Sequence, residues 1–358
     1  MFCAGQQLDT DVIQAEESTP RRVVAFDILN VLACISVVAL HVNGDVWNFS
    51  KSAHWLSCMV VQVVCYWAVP VFVMLTGATL MDYRERYDTR IFFLKRFEKT
   101  VIPFFAWSFI AMAYLMARGK FPWASVADPK SLWNYIISAG PQPIYWFFPM
   151  IWGVYLCIPG LSLVARENRQ TCFEYLFTVS FVVVSLIPQL AKCLDVQWPV
   201  KFPLDGDYVI YLVAGYLMTQ IHPTKKQIRL IYAAGVIATI IMFLGEIYVC
   251  YQANDAVVFW RGYTNFPCIL MAIAVFAAVY YHDWSGLSSR ATSWLKGLSS
   301  LSFGVYLTHI FLLDLVGLTG INVHSWIWRT VGILAIYATA CSVVWILKRV
   351  PLLRKIVP

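Results

Sequence analysis

The apolar stretch RRVVAFDILNVLACISVVALHVN, residues 21–43, carries an acid, an amide and an imidazole in register. On an α-helix the eleven steps from Asn30 to His41 return to within ~20° of the start, and the fourteen from Asp27 to His41 to within ~40°. All three share one face. Any one of the three alone would read as a helix-packing hydrogen bonder. Three in line read as a pathway, because an ionisable group at membrane depth costs ~2.5 to 3.5 kcal/mol and belongs against protein or water.

Other clusters follow further along. The segment TRIFFLKRFEKTVIPFF places Lys95, Arg96 and Lys99 three or four residues apart ahead of Pro103, close enough to act together. Such a cluster anchors a helix to anionic headgroups. In a sharper reading it clamps a phosphate-bearing cytosolic molecule, Arg as a bidentate fork and Lys as a point charge. In LSSLSFGVYLTHIFLLD, Ser302, Tyr306 and His309 share a face, placing a second histidine at membrane depth either as packing or as part of a substrate cavity. In PVKFPLDGDYVIYLVAGYLM, Asp205 and Asp207 suit hydrogen bonding to sugar hydroxyls. They suit equally a solvated turn with Asp207 as helix N-cap. His309 and Asp314 show the HxxxxD spacing of glycerolipid acyltransferases, but five residues are ~140° apart on a helix, so the match is coincidental.

Such residues need long apolar helices to hold them. The 358-residue chain is 60% hydrophobic and only 13% charged, with a mean hydropathy of +0.65. Soluble domains run near ~25% charged, so an all-α, polytopic membrane protein is expected. Segments of span length fall at roughly 23–43, 56–81, 100–117, 144–165, 172–191, 207–221, 229–250, 265–282, 301–319 and 326–347, about ten in all. Residues 21–358 then form a single transmembrane domain. Residues 1–20, polar and acidic (Asp9, Asp11, Glu16, Glu17), are expected to be a disordered tail without a cleavable signal. Most of the 27 lysines and arginines fall in alternate loops, which by the positive-inside rule puts both termini in the cytoplasm. Their dispersal over short loops speaks for topology and against a nucleic-acid partner.

No period of 20 to 50 residues recurs, and no inverted pair of interrupted spans of the transporter kind is visible. Pro70 and Pro159 are expected to kink their spans, and Thr76 and Gly77 to allow close helix approach. The aromatic run PIYWFFPMIW reads as an interfacial belt, and the loop from about Arg118 to Pro143 either lies on the membrane surface or caps a cavity. The ten cysteines form no CxxC pair and no Cys/His cluster, so no metal is expected. Cys193 and Cys250 are a candidate disulfide.

Taken in order, FDILNVLACISVVALH, PVFVMLTGATL, FLKRFEKTVIPFF, IYWFFPMIWGVYLCIP, LDGDYVIYLVAGYLM and LSFGVYLTHIFLL resemble the membrane acyltransferase-3 family, the bacterial O-acyltransferases of surface glycans, in its short form without an appended soluble domain. The resemblance implies a multi-pass protein of the bacterial cytoplasmic membrane, in contact with membrane lipid. Its reaction would move an acyl group, usually acetyl, from cytoplasmic acyl-CoA to a hydroxyl of a glycan or lipid-linked sugar. His41 would then be the general base, with Asp27 and Asn30 beside it, and Lys95, Arg96 and Lys99 would hold CoA phosphates. Tyr306, His309, Asp205 and Asp207 would be substrate contacts. The family usually has arginine where this chain has Asn30, and an arginine pair where it has Arg96 and Lys99. The first change loses a charge, the second keeps it. Two other classes suit buried polar spans: a transporter or flippase for an amphiphile, and a binding domain without catalysis. The basic cluster with a histidine above it is what an acyl-CoA enzyme needs and a flippase does not.

Overall fold

The computed structural model describes residues 23–358 except 203, 205 and 206. Its helices are α1 (Val24–Val42), α2 (Ala53–Cys65), α3 (Ala68–Leu80), α4 (Thr89–Arg96), α5 (Ile102–Ala117), α6 (Pro129–Ile137) and α7 (Phe147–Leu161). They continue as α8 (Arg166–Val179), α9 (Ile187–Cys193), α10 (Val209–Gln220), α11 (Lys225–Ala253), α12 (Phe266–Tyr280), α13 (Ser289–Val316) and α14 (Ile333–Leu347). Among the described residues the regular elements are all helical. Eight continuous helical stretches are long and apolar enough to cross a membrane, and α10 and α12 are shorter apolar helices. This is the ten-segment layout that hydropathy predicts.

Helix α1 lies at the centre. Its most apolar window is 61% buried inside the protein, against 22% for the peripheral α11, and it packs against α13, α3, α2, α14 and α12. A helix enclosed by protein on most sides can carry polar groups without presenting them to lipid. Helix α10, only twelve residues long and so ~18 Å, is buried at every position from Val209 to Met218. Protein instead of lipid surrounds it, which removes the need to match the bilayer.

Its tightest partner is α3. A Cβ on Gly77 would stand 1.9 Å from the Leu212 carbonyl oxygen, and one on Gly215 1.9 Å from that of Met74. The two glycines face each other's backbone, and only the missing side chains allow the crossing.

Pro70 acts as predicted. It cannot donate to the carbonyl of Tyr66, and the second span breaks there into α2 and α3. The Cys268 thiol approaches that carbonyl at 3.8 Å. Pro103 sits in the first turn of α5, and just before it residues Phe97–Val101 adopt a π-helical turn of the kind that re-aims side chains. Trp152 pins this turn through a 3.0 Å bond to Thr100 Oγ1.

The basic loops, including Arg84–Arg96, Arg166–Arg169 and the segment after α14, gather at one end of the bundle, here the basic end. The segment 118–143 folds at the opposite, far end. Its Trp123 and Trp133 are exposed, and Trp133 stacks on Phe105 at 5.9 Å. No residue of that segment lines the central cavity. Cys193 and Cys250 are both free thiols, which corrects the disulfide candidate. Cys250 is buried and directs its Sγ at the Val257 carbonyl.

Candidate active site

A cavity of about 580 Å³ runs along α1, touching Asn30 near one end and His41 near the other. These residues are eleven positions apart, so the cavity follows the helix for ~17 Å. At the basic end it is lined by Asn30, Ser299, Ser300, Lys348 and Pro358. At the far end Trp47, Gln62, Trp146, Arg261 and Tyr263 form the wall. Sequence periodicity placed Asn30 and His41 on one face, and both reach this space. Asp27 is buried at one turn's remove and is not among the lining residues.

Around His41 the hydrogen bonds determine the tautomer. His309 Nδ1 lies 3.0 Å from the Val305 carbonyl, and a carbonyl only accepts, so that nitrogen carries the proton and His309 Nε2 is an acceptor. His41 Nδ1 faces the Val37 carbonyl at 2.8 Å and His309 Nε2 at 3.1 Å. Both partners accept, so His41 Nδ1 carries its proton and shares it between them. His41 Nε2 is therefore the ring nitrogen with a free lone pair, on a residue that lines the cavity. The two rings lie 4.9 Å apart. His309, fully buried, stands behind His41 and outside the cavity lining. Tyr306 does line it, its hydroxyl tied to the Ile144 carbonyl at 2.5 Å. Ile144, Trp146 and Phe147 bring the aromatic run that opens α7 into the cavity wall, so this run is more than an interfacial belt.

Asn30 donates to the carbonyl and hydroxyl of Ser299, at 3.0 and 2.9 Å, joining α1 to α13. The cationic trio is split by its turn. Lys95 lies exposed over the Tyr87 ring at 4.0 Å, while Arg96 packs against Tyr155 and Phe92 with its Nε buried and unpartnered. Lys99 is exposed. None of the three lines the cavity itself. Lys348 does, with Nζ donating to the Ser300 carbonyl at 2.7 Å. Burial lowers the pKa of Lys348, and the charge of Lys99 lowers it further. Lys99 is therefore near enough to Lys348 for its charge to be felt there.

Asp207 corrects its N-cap reading. It sits exposed in a left-handed turn with φ +45°, Tyr208 occupies the cap position, and no side chain caps α10. It is not among the cavity-lining residues. Asp205 and the tail 1–20 lie outside the described residues. Asp314 pairs with Arg118 at 3.2 Å and accepts from Tyr114, an arrangement unconnected with His309. Among the described residues no group of three His, Cys, Asp or Glu is placed to hold a metal ion.

Several lining residues were not foreseen. Lys348 and Arg261 were read only as topology signals, and Gln62 was not singled out. The signal for Arg261 was Glu246, an acid inside an apolar span, which needs a cationic partner. The two form a fully buried ion pair, Arg261 Nε to Glu246 Oε1 at 2.6 Å.

An enclosed α-helical bundle with a polar passage beside a histidine whose Nε2 lone pair is free marks a multi-pass membrane protein built around an internal site. The profile of the acyltransferase-3 family, described as "Acyltransferase domain", matches residues 23–348. The chain therefore belongs to the acyltransferase-3 family and is a membrane acyltransferase by family. No curated protein and no solved structure matches it significantly.

Proposed function

We propose that the protein is an O-acyltransferase that carries an acyl group, in the first instance acetyl, from acyl-CoA at the basic mouth to a hydroxyl of a glycan or lipid-linked sugar arriving from the far side. The basic end faces the cytoplasm and the protein resides in a bacterial cytoplasmic membrane. The observation that carries this reading is the continuity of the cavity from Lys348 to His41 and on to Arg261.

In the proposed reaction the nucleotide phosphates rest on Arg96, Lys99 and Lys348, with Lys95 at the rim, and the pantetheine arm extends past Asn30 toward His41. Cationic side chains at the mouth hold phosphate by charge-assisted hydrogen bonds. His41 Nε2 takes the proton of the acceptor hydroxyl as its oxygen attacks the thioester carbonyl. When the tetrahedral adduct collapses, the C–S bond breaks and the imidazolium returns the proton to the departing sulfur. His309 Nε2 and the Val37 carbonyl accept from His41 Nδ1, so the cation formed on His41 is met by two acceptors. Asn30 stands where relatives of the family have arginine, and its bond to Ser299 positions α13 without adding charge. Tyr306 shapes the wall next to the acceptor, while Asp27 steadies α1 from outside the cavity. Family membership favours this reading over a flippase.

Purified protein in lipid nanodiscs incubated with radiolabelled acetyl-CoA tests it. Release of CoA or label transfer in the wild type, abolished by His41→Ala, is expected. Neither binding nor turnover of acetyl-CoA by the folded wild type would overturn the reading.

A further inference from the structure

The far half of the cavity has polar atoms for which the protein provides no partner. Arg261 is only 1% exposed. Its Nε is paired with Glu246 and its Nη2 donates to the Val257 carbonyl at 3.3 Å, but Nη1 is buried with no hydrogen-bond partner. Glu246 does not need that third nitrogen. Its carboxylate already accepts from the backbone N–H groups of Phe259, Trp260 and Arg261 as well as from Nε.

A buried donor left unmatched is costly, and because Arg261 lines the cavity, an occupant of that space is the partner open to it. On α2, Gln62 is likewise buried and lines the same space, with its Oε1 unpartnered. Four residues on, just past the end of α2, the Tyr66 hydroxyl donates to the Arg261 carbonyl at 2.7 Å, which brings the two polar groups to one wall. Around them are flat aromatic surfaces. Tyr263 lies between Tyr66 and Trp146, stacked with ring centroids 4.6 and 5.7 Å away, and Trp47 covers the guanidinium at 4.9 Å.

We propose that this half of the cavity is a subsite for an anionic saccharide. Arg261 Nη1 receives a carboxylate or phosphate borne by the sugar, Gln62 meets a ring hydroxyl, and Trp47 and Trp146 hold the apolar faces of the ring, with Tyr263 backing Trp146. The chemistry follows from the groups present. A buried guanidinium edge selects an anion, an unpaired amide selects a hydroxyl, and rigid aromatic faces select a flat ring with apolar sides. The inference rests on the acyltransferase reading and names the acceptor class for it.

Equilibrium binding to the wild-type chain in nanodiscs tests the subsite without needing catalysis. The probes are methyl β-glucoside, methyl β-glucuronide and glucose 1-phosphate. At least one acidic probe is expected to bind about tenfold or more tightly than the neutral one, the scale of a charge-assisted hydrogen bond. Which acidic probe wins separates a sugar carboxylate from a sugar phosphate.

The double variant Glu246→Gln/Arg261→Gln, which leaves no lone charge buried, should bring the three probes level. Gln62→Ala should weaken all three alike. Equal binding of all three probes by folded wild-type protein overturns the proposal, with no variant needed. Acidic preference without acyl transfer from acyl-CoA leaves the subsite standing and removes the acyltransferase reading. Equal acylation rates for neutral and acidic acceptors do the reverse.

Discussion

His41 is one imidazole among six in the chain, and its surroundings separate it from the rest. Its Nδ1 proton is fixed by two acceptors, which leaves Nε2 as the nitrogen with a free lone pair. In the proposed reaction His309 holds that arrangement, which would make it a positioning residue. Replacing His309 with Gln, which can still accept at the same place, is expected to lower kcat about 10-fold and leave the KM for acyl-CoA unchanged. His309→Leu removes the acceptor and should cost on the order of 100-fold. Steady-state kinetics with separate kcat and KM determinations checks this. Equal losses for the two variants would show that the hydrogen bond plays no part. At the basic mouth, Lys348→Ala should raise the KM for acyl-CoA several-fold with little change in kcat, and moderate salt should narrow the gap, since exposed cationic contacts are screened.

At the scale of helices, the crossing of α3 and α10 admits no side chain. Gly77→Ala and Gly215→Ala each drive a methyl group into a backbone carbonyl that cannot step aside. Overpacking of ~1–3 kcal/mol or more is expected, read as a lower unfolding temperature in a thermal-shift assay. Retained stability in either variant would mean that the helices can separate freely.

The far-end loops are joined by Asp45, which accepts from His324 Nδ1 at 2.8 and 2.9 Å and from His54 Nε2 at 3.1 Å. This ties the segment after α13 to the turn holding Trp47. Burial alone would raise the Asp45 carboxyl, but the bonds from His324 and His54 outweigh it and hold its pKa below the ordinary value. A carboxyl lowered in the folded state stabilises it above the unfolded pKa of ~3.9, and that stabilisation is lost as pH falls through the folded value. Solvent screening keeps it to ~1 kcal/mol or less. Asp45→Asn should therefore melt a few degrees lower than wild type at pH 7, with the gap closing below the folded-state pKa. A gap that persists at the acid end would assign the difference to packing.

For the whole molecule, the cavity implies sidedness. In the proposed reaction the donor uses the basic mouth and the acceptor meets the aromatic half. In sealed vesicles with the protein oriented one way, labelled acetyl-CoA offered to the basic face should support acylation, and the same concentration offered to the opposite face should not. Equal activity from both faces would contradict a donor site at the Lys348 mouth. Helix α1 sits where both halves of the cavity can use it because it is the most enclosed of the long spans. The same enclosure lets its polar face look into protein.

How much of this could be read in advance depended on the range of the forces involved. Hydropathy and helical period are local, so the ten spans, the shared face of Asn30 and His41, the break at Pro70 and the close approach at Gly77 could all be read from residue types and spacing. The family signature was legible for the same reason, as an ordered set of short strings. Partnership across hundreds of positions was not. His309 against His41, Asn30 against Ser299, and Lys348 at the mouth with Lys99 near it depend on which helices become neighbours, and apolar surfaces look alike whether they meet lipid or protein. Arg261 shows the boundary most plainly: its sequence context marks a loop cation, whereas packing folds that loop into the bundle. Residue types and their spacing were enough for a membrane bundle with a polar central helix. Which polar atoms found partners within the protein, and which were left without one, depended on how the helices packed.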